Sequence, residues 1–134
     1  MADFRFSTPI QVRYSDFDML GHINNATFVT YFEVARLYYF LEIGWTLNDV
    51  SNVVAHLDID FMTPILPQQE VYCRVRTTSL GSKSFQMNYE LYSKKEDIIF
   101  ARAHSVQVCF EKKSGKTVAI PEHIHELIKN FENT

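Results

Sequence analysis

Cysteine is nearly missing from this 134-residue chain: only Cys73 and Cys109 occur, far apart and with no C-x-x-C pairing. That excludes a disulfide scaffold and argues against the usual zinc and dithiol redox motifs; both residues fall in strand-like segments and read as free buried thiols. Glycine and proline number four each, too few for a low-complexity or linker-built chain. No apolar run approaches the ~18 residues that cross a bilayer. The opening MADFRFSTPIQVRY carries neither the basic stretch nor the apolar core of a leader. Charge is close to balanced as well: 13 basic against 16 acidic residues give a net −3 without long runs, so no nucleic-acid or membrane partner is expected. The expectation is a cytoplasmic protein folded throughout as a single domain over residues 1–134.

What the chain does contain is a large apolar and aromatic content, 46% hydrophobic residues with eleven Phe and seven Tyr, and its spacing predicts the elements. Phe4, Phe6, Ile10, Val12 and Tyr14 recur at even spacing, an extended lead-in. From Asn24 or Asn25 to Ile43 the period becomes helical: Phe28, Phe32, Ala35 and Tyr39 share a face, and Val29, Leu37, Phe40 and Leu41 make the adjoining faces apolar. A mostly buried helix about 28 Å long is predicted, with an asparagine as its cap and Gly44 as its stop. Leu57, Ile59 and Phe61 alternate along the next strand, which Pro64 and Pro67 end. Alternating segments follow at 71–78 and 85–91, then a long strand near 98–110 and a short one near 117–120, separated by turn chemistry at LGSK, SKKED and KKSGK. Pro121 opens a last helix, PEHIHELIKNF. One nearly all-apolar helix with five or six antiparallel strands predicts an α+β domain whose sheet curls around the helix.

Directly before that helix, RYSDFDMLGHINN packs Asp16, Asp18, His22, Asn24 and Asn25 into ten residues. Each alone is explained as a cap, a loop histidine or a charge at the positive helix end, but a helix start requires only one cap. First-turn N–H groups are unpaired within the helix and can hold an oxyanion, one such donor being worth ~10²- to 10³-fold in rate. The same positive end suits a carboxylate at Asp18 acting as nucleophile or general base. No dedicated strong acid accompanies it, so a leaving group that departs unaided is wanted, such as a thiolate of pKa about 8.5. Acyl-thioester hydrolysis is permitted on these grounds without being singled out.

The run YSDFDMLGHINNATFVTYFEVAR resembles the signature of hot-dog-fold acyl-CoA thioesterases of the 4-hydroxybenzoyl-CoA thioesterase type. There D-x-D-x-x-G-H-x-N-N leads into a central helix ending in E-x-A-R. The spacing to IDFMTPILPQQEVYCRV and LGSKSFQMNYEL is similar to the family's D-F-x-x-P and G-x-x-S-F elements, so the likeness covers nearly the whole chain. The resemblance implies the hot-dog fold, an acyl-CoA substrate, and a homodimer or homotetramer with the site between subunits. It places the catalytic carboxylate on Asp18, the carbonyl-polarising backbone N–H near Asn25, and a structural role on Asp16. His22 and Asn24 become candidates for orienting Asp18 or water. Plant acyl-carrier-protein thioesterases sharing G-H-x-N-N carry an asparagine where this chain has Leu20, so their fuller network does not transfer intact. His56 and Thr63, flanking the strand that in the family runs beside the active-site helix, are candidates for the acyl pocket, as is Phe28 among the aromatic residues. Ser82, Lys83 and Ser84 are candidates for the nucleotide end of coenzyme A.

No cofactor and no metal are expected. His123 and His125, two apart on a predicted helix, face differently, and His104 has no partner in sequence. Glu33 and Arg36, three apart, are expected to pair. Acyl-CoA or lipid binding without turnover, and hydrolysis of an acyl-carrier-protein thioester, stand as alternatives. A hydratase on the same fold is disfavoured by the absence of its D-x-N-P-x-H spacing.

Overall fold

A nineteen-residue helix, α1 (Asn25–Ile43), occupies the middle of the computed structural model, which describes residues 4–133. Asn24 is its cap, with extended backbone and Oδ1 accepting from the Ala26 N–H at 2.8 Å. Gly44 ends it at φ 95°, a left-handed geometry open to glycine at little steric cost. The Gly44 and Trp45 N–H groups close the last turn onto Leu41 O and Phe40 O.

Five strands make the sheet: β1 (Phe6–Pro9), β2 (Val50–Phe61), β3 (Tyr72–Leu80), β4 (Ser84–Ser93) and β5 (Ile98–Glu111). Their order is β1-β3-β4-β5-β2 with every neighbouring pair antiparallel, leaving β1 and the twelve-residue β2 as edges. The strand alternation is the cause of the layering. Cys73, Val75, Met87, Tyr89 and Leu91 are buried on the face that meets Phe28, Phe32, Ala35 and Tyr39 of α1, while Arg74, Gln86, Glu90, Arg102 and His104 occupy the other face. A second helix, α2 (Glu122–Glu132), follows Pro121 and buries Ile124 and Ile128. Glu132 Oε2 accepts from Tyr39 OH at 2.6 Å and from the Thr77 N–H at 3.0 Å, tying α2 to α1 and β3.

Several expectations are corrected. The short strand near 117–120 is only an isolated bridge between Thr117 and Phe110: the chain then turns so that Ile120 N–H bonds Ser82 O, and the sheet has five strands. β1 is four residues long: its last bond to the β3 side runs from the Ile10 N–H to Val71 O, after which the chain leaves the ladder. Helix α1 is buried on one side only. Val34, Leu37, Tyr38 and Leu41, spaced i, i+3, i+4, i+7, stay exposed. Arg36 does not pair with Glu33; its guanidinium turns inward and donates to Tyr89 OH at 3.1 Å, where a half-buried charge finds a partner away from solvent. Among the described residues no helix is long and apolar enough to cross a membrane.

Candidate active site

The loop before α1 is built on Asp16. Its buried carboxylate accepts from the Arg13 backbone N–H at 2.9 Å, from the Arg13 guanidinium at 2.8 and 3.2 Å, and from Tyr31 OH at 2.6 Å. Burial pushes this carboxyl up, but the hydrogen bonds from Tyr31 and Arg13 together outweigh it and hold it below its ordinary value. Burial and the bond to Asp16 push the Tyr31 hydroxyl well up in turn, keeping it a donor. Since Tyr31 lies on α1, this one aspartate fixes the loop to the helix.

From that anchor the 17–24 loop folds on itself. Phe17 bridges Ile23, the Asp18 N–H bonds His22 O at 2.8 Å, and the Gly21 N–H bonds Asp18 O at 3.1 Å, with Gly21 at φ 79°. Asp18 Oδ1 accepts from the Leu20 N–H at 2.9 Å and the His22 N–H at 3.2 Å. These two bonds hold the carboxylate on the loop; Oδ2 has no hydrogen-bond partner among the described residues. Met19 and Leu20 beside it are 102% and 81% exposed.

At the helix start the donors divide. The Ala26 N–H is engaged by Asn24 Oδ1 and the Thr27 N–H by Asn24 O. The Asn25 N–H has no acceptor among the described residues, so it is the donor free to hold an incoming oxygen. A cleft of about 180 Å³ opens there, lined by His22, Asn25 and Phe28 from the loop and helix and by Phe61, Thr63 and Pro64 from the end of β2. The Phe28 and Phe61 rings pack at 5.3 Å, and the Met62 and Thr63 N–H groups both bond Phe100 O, fixing that turn.

Of the expected site residues, His22, Asn25, Phe28 and Thr63 therefore meet at one cleft, with Asn24 capping beside it and Asp18 bonded to His22. His56 does not join them. Leu57, Ile59 and Phe61 pair with Ser105, Ala103 and Ala101 on the inner face, so strand alternation puts His56 on the outer face, and a bulge between Val54 and His56 makes the reversal relative to Val54. Ser82, Lys83 and Ser84 form the β3–β4 turn, where Ser82 O and Lys83 O accept from Ile120 and Cys109 N–H groups. Within one chain they do not line the cleft. Sequence reasoning missed Phe61 and Pro64 as lining residues, though both stand in the D-F-x-x-P element it singled out. It also missed the meeting of His56, Asp58 and His104 on the outer face, which no local spacing signals.

An antiparallel five-stranded sheet packed on a long helix is the hot-dog fold, and the family and relatives that the chain matches make it a thioester hydrolase. The chain belongs to the thioesterase-like superfamily, whose model matches residues 12–128. It is similar to a thioesterase from Thermus thermophilus, solved with coenzyme A and zinc, at 36% identity and a TM-score of 0.88, covering all of this chain and 99% of that one. The Bacillus subtilis protein YsmA is 33% identical over 120 residues, 88% of this chain and 81% of that protein. The long-chain acyl-CoA thioesterase FadM of Escherichia coli is 25% identical over 128 residues, 92% and 97% of the two chains.

Proposed function

We propose that this protein hydrolyses an acyl-CoA thioester to free acid and coenzyme A, with Asp18 as nucleophile or as base toward water. The observation that carries the proposal is the unengaged Asn25 N–H opening on the Phe28–Phe61 cleft, beside a loop that holds Asp18 by one oxygen and leaves the other free. The acyl group enters the cleft so that its carbonyl oxygen meets Asn25 N–H, which strengthens its bond as charge develops there. Departure of the thiolate needs little protonation. The coenzyme A held by the Thermus relative and the substrate in the name of the Escherichia coli relative support the choice of thioester. Ser82, Lys83 and Ser84 are assigned to the nucleotide end. Two buried, unpaired thiols are consistent with a cytoplasmic setting.

The active unit we propose is a homodimer, joined along the β2 edges, or a homotetramer. A cleft of about 180 Å³ is smaller than the roughly 300 Å³ at which ligand pockets begin, and the exposed Met19 and Leu20 await cover, so a second copy is taken to complete the site. The test is free-thiol release from a panel of aliphatic and aromatic acyl-CoAs. Asp18→Asn is expected to keep its melting temperature and lose at least ~10²-fold in kcat. Near wild-type turnover would remove Asp18 from the reaction. Tight coenzyme A binding with no thiol release from any member would replace hydrolysis by a binding role.

A further inference from the structure

On the face of the sheet away from α1, three side chains converge that the proposed reaction does not use. Asp58 on β2 stands opposite His104 on β5 in the ladder, and His56 lies two residues before Asp58 on the same face. Both imidazoles turn to a single carboxylate oxygen: His56 Nε2 is 3.0 Å and His104 Nδ1 3.2 Å from Asp58 Oδ2. The three ligand atoms lie within 4.8 Å of one another. Exposed histidines on a strand are satisfied by water separately, so two rings turned to one oxygen call for a cause.

The second ring nitrogen of His104 supplies it. His104 Nε2 is 2.9 Å from Gln86 Oε1 on β4; with the amide oxygen facing the ring, the N–H is on Nε2. In a neutral imidazole that leaves Nδ1 as a lone pair aimed at a carboxylate oxygen, a repulsive contact that an intervening cation or a second proton relieves. An outward N–H held by an amide oxygen is the arrangement that orients metal-binding imidazoles. The separations fit as well. Ligands at about 2.0–2.2 Å from a tetrahedral ion lie about 3.3–3.6 Å apart, so the 3.0 and 3.2 Å present would open by a few tenths of an ångström around an ion.

We propose that His56 Nε2, Asp58 Oδ2 and His104 Nδ1 form a site for a divalent transition metal of the zinc class, with Gln86 orienting His104 and the fourth position open to solvent. Two imidazoles with one carboxylate select such ions over magnesium and calcium, which favour all-oxygen sets. The metal would clip the edge strand β2 to β5 immediately after the β2 bulge. Because it engages neither the cleft nor Asp18, its presence is independent of the hydrolytic reading.

The test uses tag-free protein stripped with chelator and then dialysed against zinc. The expected result is one zinc bound per chain and a raised melting temperature, with both effects lost in Asp58→Asn and in His104→Gln and kept in a His123→Gln, His125→Gln control. Circular dichroism of each variant without metal establishes that it folds, and two single variants guard against one failing. Magnesium at the same concentration is expected to shift nothing. Failure of the wild type to bind zinc, binding retained in both single variants, or an equal shift with magnesium would each overturn the site.

Discussion

Asp16 lies buried with both carboxylate oxygens bonded to Arg13 and Tyr31, whereas Asp18, two residues on, is exposed with one oxygen engaged and one free. The same side chain thus serves two ends according to its surroundings. Because Asp16 is held below its ordinary value when folded, it contributes stability fully above its unfolded value of about 3.9, and that contribution is lost as the pH falls through the folded value. Asp16→Asn is expected to cost about 2 kcal/mol at neutral pH and to flatten the loss of stability between about pH 5 and 3. Denaturant melts at both ends of that range check it; equal acid slopes in variant and wild type would contradict it. The His22 ring makes no hydrogen bond among the described residues, so turnover is expected to stay level from about pH 6 to 8. A rise through about pH 6.5 that disappears in His22→Ala would instead make His22 the base.

At the scale of the element, α1 joins the scaffold and the chemistry. Asn24 holds the Ala26 and Thr27 N–H groups and so leaves Asn25 as the open donor. Asn24→Ala is expected to lower stability by about 1 kcal/mol and to lower kcat beyond what stability explains, since a freed Ala26 N–H redirects the first turn; equal kcat at full folding would confine Asn24 to capping. Further along, Phe32 is completely buried against Tyr89, with ring centroids 5.4 Å apart. Its replacement by alanine should cost about 3–5 kcal/mol, read in chemical melts, because neither the helix nor the sheet can collapse into the space independently.

For the whole molecule, the decisive surfaces are those one chain leaves uncovered. The β2 edge offers a twelve-residue row of backbone groups on its outer side, a template for another strand. Val34, Leu37, Tyr38 and Leu41 offer a second apolar stripe on α1. In the proposed assembly the first serves a homodimer and the second joins two dimers where a homotetramer forms. Leu37→Glu combined with Leu41→Glu is expected to leave a dimer in sedimentation velocity with thioester hydrolysis retained. An unchanged larger assembly would show that the stripe is not its interface.

The amino-acid sequence by itself determined the extent of α1 to within a residue, an asparagine cap and the Gly44 stop, the alternation of each strand between its bulges and the polar loop in front of the helix, because these follow from periodicity and backbone chemistry within a few residues. His56 was expected in the acyl pocket, whereas alternation with Leu57 and Ile59 places it on the outer side with Asp58. Which strands lie side by side was decided only in the tertiary structure, since lateral order depends on contacts between segments far apart in the chain. Arg36 meets Tyr89 across 53 positions, and Asp58 meets His104 across 46. The cleft divides the same way: His22, Asn25 and Phe28 were legible as neighbours in sequence, while Phe61 and Thr63 arrive there because β2 pairs with β5 and ends beside the start of α1.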